Sequence, residues 1–242
     1  MSAQETILAI AQKTGDIGAA FYFTPETTGR GKEFGLGGFY FYVLGRGGVL
    51  GDVEPAVVHS AFGYFNPGMI AKLWDGGREK LAPREAAREY IACAHAHGRA
   101  KFAGIEGLEE YVAAVQKIFD AIDDSSMALF AGLKAEPVPS DAPAAAFHQA
   151  MVLRELRGSA HLTAIASVGL PSVMAHAIKR PNDVATFGWA DGEVPEPTAD
   201  DIAKRDRAEA ITNEMLEPAF AVLTKDEEAA LIAGTNAMHA AL

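Results

Sequence analysis

Cysteine is almost missing from this 242-residue chain, since Cys93 stands alone. That excludes an intramolecular disulfide and the multi-cysteine zinc sites. Long apolar runs are missing too: no stretch of eighteen or more apolar residues exists, so no membrane-spanning helix is expected. The opening MSAQETILAIAQKTGD lacks the basic start and long apolar stretch of a signal peptide, and a cytoplasmic location is the expectation. Positive charge is scarce, with 21 Lys and Arg against 32 Asp and Glu and a net charge of −11. A polyphosphate is held chiefly by neutralising its charge, so the chain as a whole disfavours DNA, although a local basic face remains compatible with it.

Several catalytic and nucleotide-binding signatures are also absent. GRGKEFGLGG (29–38) and GRGGVLG (45–51) have neither the GxxxxGK[ST] nor the GxGxxG spacing, so their glycines read as tight turns and close helix packing. Ser159 sits in RGSAH rather than GxSxG, and no HExxH occurs. Cys93 and His97 stand at i, i+4 but have no carboxylate partner, so neither a metal nor a cofactor is expected.

What the chain does contain is helical patterning, with an ordinary 49% apolar and 22% charged residues. Apolar spacing predicts helices over 3–14, 55–65, 83–98 and 108–122. Asn66-Pro67 predicts an N-cap and first helical residue, with a stop at Gly76-Gly77. AEPVPSDAP (135–143) reads as a linker. Beyond it, helices are expected from about 143 to 156, around 160–168, and over 172–179. Residues 180–201 read as a surface loop with a short strand at 184–187. Thr224 and Glu227 form a capping box for a last helix over 225–241.

Two segments match each other without a gap: VVHSAFGYFNPGMIAKL (57–73) and LTAIASVGLPSVMAHAI (162–178). Ala61 falls on Ala166 and Met69 on Met174, and both read helix, tight turn, helix. An arginine-bearing stretch precedes each, around Arg46 and Arg154. An internal duplication is one explanation and a chance match between two apolar helices is the other.

YFTPE (22–26), GRGGVLG (45–51), HSAFGYFNP (59–67) and LRELRGSAH (153–161), with GW (188–189) and LTKDEEAAL (223–231), resemble an actinobacterial family of helix-turn-helix proteins whose tail is similar to MarR-type regulators. Where that family reads LREHRGDGH, this chain carries Leu156, Ser159 and Ala160. The resemblance implies a mainly α fold of two winged-helix-like repeats, over 1–135 and 143–242, forming a pseudo-twofold single-chain assembly. It implies no activity.

On a helix, Arg154, Arg157 and His161 lie at i, i+3 and i+7 and share one face, with Glu155 at its edge. Two guanidiniums and an imidazole on one side could clamp a carboxylate or phosphate. They could equally pair with carboxylates and stitch the two halves together. Twelve of the 21 aromatic residues fall between Phe21 and Trp74. Tyr22, Tyr42 and Tyr64 would bring hydroxyls to a pocket for a flat ligand, beside Arg46, unless they serve only as core.

The preferred expectation is a protein that binds a small organic ligand, aromatic or anionic, between its repeats. A MarR-like regulator is the first alternative. A cofactor-free enzyme with His161 or His59 as general base is the second. A homodimer is a further partner arrangement considered. Both candidate recognition helices, NPGMIAKLWDGG (66–77) and PSVMAHAIKR (171–180), are apolar where base contacts would be needed, with Lys72 the sole cation of the first and His176, Lys179 and Arg180 late in the second. Specific DNA affinity should therefore be weak or absent. An electrophoretic mobility shift on genomic fragments at about 150 mM salt checks this, and nanomolar sequence-dependent binding would contradict it.

Overall fold

Proline and short polar side chains set where the helices begin. The computed structural model describes residues 1–242 and holds twelve α-helices: α1 (Ala3–Ala19), α2 (Pro25–Glu33), α3 (Phe39–Gly47), α4 (Pro55–Phe62), α5 (Pro67–Arg78), α6 (Pro83–Phe102), α7 (Leu108–Ala121), α8 (Ala128–Lys134), α9 (Ala142–Ser167), α10 (Ser172–Lys179), α11 (Ala199–Phe220) and α12 (Lys225–Ala240). Pro occupies the first helical position of α2, α4, α5 and α6, where its missing N–H would have no partner in any case. Asn66 caps α5 through its side-chain oxygen, and the Thr224–Glu227 capping box opens α12 as expected. Ser2–Glu5 and Thr198–Asp201 form two more such boxes.

The mainly α expectation holds. No β-strand exists, so neither helix-turn-helix unit is followed by the β-hairpin that makes a wing. The strand expected at 184–187 is instead a 3-10 turn, Ala185–Phe187. Phe187 stacks on Phe65 with ring centroids 4.2 Å apart, and that contact curls the segment inward. Residues 143–156 and 160–168 belong to one helix, α9. Gly158 does not break it, because buried Leu156, Ser159 and Ala160 on either side anchor both turns; this outweighs a glycine cost of about 1 kcal/mol. Gly98 is likewise no cap: α6 runs on to Phe102. A Cβ at Gly98 would lie 2.7 Å from the Phe147 Cβ and 2.8 Å from the Pro143 carbonyl oxygen, so the missing side chain permits the α6–α9 crossing.

α9 is the central rod, packed by α1, α6, α7, α8 and α11. A single apolar cluster takes residues from both sides of the 135–143 segment, among them Phe21, Trp74, Tyr90, Phe147 and Leu231. The glycines of GRGGVLG serve packing: a Cβ at Gly45 would meet Tyr90 at 2.5 Å, and one at Gly48 would meet the Pro83 carbonyl oxygen at 2.0 Å. No single helix is long and apolar enough to cross a membrane.

Both matched segments fold as helix, turn, helix: α4–α5 and the end of α9 with α10. The chain bends by 113° between α9 and α10, within the range of helix-turn-helix units. The two turns touch: the Tyr64 N–H donates to the Ser172 hydroxyl at 3.2 Å, and a Cβ at Gly63 would meet Leu162 at 2.4 Å.

At the α6–α9 contact, His95 Nε2 lies 3.0 Å from His148 Nδ1, and His148 is buried. Burial pushes both imidazoles down to about 4, so both are neutral in the folded protein at pH 7. The unfolded chain takes up these protons from about pH 6.5 downward, whereas the folded protein resists until about pH 4. Their contribution to stability is therefore complete above pH 6.5 and is lost as pH falls towards 4. Urea midpoints measured across that window should decline, and His148→Leu should flatten the decline.

Candidate functional site

α9 and α3 meet across one buried carboxylate. Glu155, on the inner side of α9, accepts from Arg46 Nε at 3.0 Å and Nη2 at 2.7 Å. It also accepts from Arg154 Nη1 at 2.8 Å and from the Tyr22 hydroxyl at 3.4 Å. Burial by itself would raise the Glu155 carboxyl, but the Arg46 and Arg154 guanidiniums outweigh it and hold the group below the usual carboxylate range. Arg46 also donates Nη1 to the Tyr42 hydroxyl at 3.1 Å and lies 4.2 Å over the Phe62 ring. All its nitrogens are thus engaged. Arg154 differs: its guanidinium lies 5.2 Å over the Tyr22 ring, but beyond its bond to Glu155 it makes no hydrogen bond to the protein. Gly18 makes room for it, since a Cβ there would lie 2.9 Å from the Arg154 Cδ.

Above this pair opens a cleft of about 490 Å³, continuous in its lining with an inner chamber of about 230 Å³. Its walls come from α1, α3, the α4–α5 turn, α9, α10 and α11. Phe23 and Phe39 stand at one side, centroids 5.1 Å apart, with Phe23 half exposed. Tyr42, Tyr64, Phe65 and Phe187 line both chambers.

Tyr64 is held by strain and by two tethers. Its φ of 53° is left-handed, unusual for a bulky side chain. Its N–H donates to Ser172, and its carbonyl accepts from Trp189 Nε1 at 2.7 Å. Its phenol makes no protein hydrogen bond, and burial pushes it up to about 12.

The other side of the cleft is a second charged group. Glu209 of α11 accepts from Arg157 Nη2 at 2.8 Å and Arg205 Nη2 at 2.9 Å, and Arg157 Nη1 donates to Asn213 at 2.8 Å. His161 Nδ1 lies 2.9 Å from the Thr212 hydroxyl, and burial takes the imidazole down to about 4. Lys179 lies at the rim with no carboxylate within ion-pair distance, and partial desolvation lowers its amine, with Glu209 opposing and the Arg205, Arg180 and Arg157 guanidiniums adding to the shift. Arg180 reaches only Asp183, at 3.7 Å.

Of the residues singled out by sequence, Arg46, Arg154, Arg157, His161, Tyr22, Tyr42 and Tyr64 line one cleft, and Glu155 lies beneath them. His59 lies elsewhere: its Nε2 is 3.0 Å from the Phe65 carbonyl oxygen, on a groove beside Ser159 and Leu162. On the arginine face, Arg157 is paired by Glu209 and Asn213, whereas Arg154 has Glu155 as its one hydrogen-bond partner. Lys179, Glu209, Thr212 and Phe187 were not singled out as site residues. They come from α10, α11 and the segment between, where only the Arg205–Glu209 spacing of i, i+4 hints at an ordered face. No three His, Cys, Asp or Glu side chains converge as a metal-ligand set.

Glu155→Gln should leave two buried guanidiniums around a neutral amide, at a loss on the order of 3–5 kcal/mol in denaturant unfolding. A change below about 1 kcal/mol would show that the pairs carry little of the fold.

No curated protein and no solved structure matches the chain. A family model described as the helix-turn-helix family matches residues 8–191, most of the chain and every cleft-lining residue except Glu209, and the chain belongs to that family.

Proposed function

We propose that the protein binds a small organic anion with an apolar or aromatic body in the cleft between its two helix-turn-helix units. One observation carries this reading. Within an acidic chain, the aromatic cleft presents the open guanidinium edge of Arg154 and the unpaired Lys179 on facing elements. Around the cleft, Arg46, Arg154, Arg157, Lys179, Arg180 and Arg205 stand against Asp16, Glu155, Asp183 and Glu209, a local cationic surplus. A volume of about 490 Å³ suits a small molecule. Arg46 and Arg157 serve the scaffold, since their donors already meet protein acceptors.

The finer architectural reading, two duplicated units about a pseudo-twofold axis, is supported by the equivalent breaks at Asn66-Pro67 and Pro171-Ser172 and by the contact of their turns. The family description favours a second reading, a DNA-binding regulator, in which the cleft would hold its effector. Against direct reading of DNA, the α10 histidine His176 is buried beneath Phe187, centroids 4.0 Å apart, and Lys179 lines the cleft. His161 at about 4 is a weak base at neutral pH, which disfavours the enzymatic alternative.

Native mass spectrometry of protein purified from its own host tests the proposal. A retained anionic mass is expected, and it should be lost or reduced tenfold or more in Arg154→Ala and in Lys179→Ala, with unfolding midpoints close to the parent. Retention unchanged in both variants would defeat it.

A further inference from the structure

The hydrogen-bond bookkeeping around His161 restricts what can occupy the inner cleft. The Thr212 hydroxyl lies 2.7 Å from the Ala208 carbonyl oxygen and 2.9 Å from His161 Nδ1. A hydroxyl has one proton, and a carbonyl oxygen can only accept. Both contacts are satisfied together when the Thr212 proton goes to Ala208 and Nδ1 donates to the Thr212 oxygen. In the neutral imidazole this leaves Nε2 as a bare lone pair. Nε2 makes no protein hydrogen bond, and it is not among the side-chain atoms sealed from solvent.

Facing it at 3.9 Å is Glu209 Oε1, itself an acceptor, whose carboxylate pairs with Arg157 and Arg205. Two acceptors therefore look at each other across a gap too long for a direct bond and open to the cleft. The arrangement suits a donor placed between them. A plain carboxylate pushed there would set a third acceptor against two.

We propose that the ligand carries a hydroxyl or an N–H next to its anionic group, and that the bare His161 Nε2 selects for that donor while the neighbouring Glu209 carboxylate disfavours a further acceptor there. The anionic group faces Arg154 and Lys179, the donor faces His161, and the apolar body lies along Tyr42, Tyr64 and Phe187. This assigns the ligand class as hydroxy or amino acids with an aromatic or apolar side chain. It rests on the anion-binding reading above and adds a specificity that reading does not require. One hydrogen bond to an imidazole nitrogen that is otherwise left without a partner is worth about tenfold in affinity.

Calorimetric titration of the full chain with 3-phenyllactate, its O-methyl ether and 3-phenylpropanoate separates the two levels. Phenyllactate is expected to bind about tenfold more tightly than either analogue, and the ratio should collapse towards one in His161→Phe. Equal affinity for all three would overturn the donor selection while leaving anion binding in place. No binding of any of them up to their solubility limits would overturn both. A measurement on the unmodified protein is independent of any variant: nitrogen-15 NMR should find the His161 proton on Nδ1, and a proton on Nε2 would sink the inference.

Discussion

A single carboxylate, Glu155, fixes the relation of α3 to α9 and with it the floor of the cleft. It is 2% exposed and receives two guanidiniums and a phenol. Removing these ions from water costs several kcal/mol each, and only close geometry with every lone pair engaged offsets that. The bidentate Arg46 contact supplies such geometry, and the Tyr42 hydroxyl and Phe62 face complete the shell of Arg46. Because one negative charge answers two positive ones, the arrangement is satisfied for Arg46 and incomplete for Arg154. Scaffold and binding feature thus arise from the same residue.

The second charged group repeats the theme with different parts. Glu209 holds Arg157 and Arg205, and Thr212 orients His161. Its members come from α9 and α11, so the walls of the cleft depend on how α11 seats against α9. The family match ends at residue 191, before α11 begins. The family model therefore covers the Arg46–Arg154–Glu155 floor, the aromatic walls and the α9 members Arg157 and His161, but not their α11 partners Glu209 and Thr212.

Local rules made many elements legible from sequence. Proline and polar caps marked the starts of α4, α5, α6 and α12, and the i, i+3, i+7 spacing put Arg154, Arg157 and His161 on one face. The break expected between 156 and 160 is absent because helix propensity is a weak local preference, and burial on both sides of Gly158 sustains α9. α11 went unread because ADDIAKRDRAEAITNEML (199–216) is mostly polar, and of its apolar side chains only Ala208 and Leu216 are fully buried. The pairing of Arg157 with Glu209, 52 positions apart, follows from tertiary packing that no spacing rule encodes. Nor could charge counting show that Glu155 would be shared by two arginines, because the second partner, Arg46, lies 109 positions away.

The placement of a cationic cleft on a strongly acidic body has a kinetic consequence. At low ionic strength an anion approaching the proposed site senses the net charge of −11 before it senses Arg154 or Lys179, whereas at physiological salt that influence fades over about 8 Å. Long-range steering then works against capture, and added salt, by screening the body, eases the approach even as it weakens the final contact. The half-exposed Phe23 at the mouth offers the ligand's apolar portion a first foothold that charge does not influence. Selection in such a site is made by contact after entry rather than by attraction from a distance.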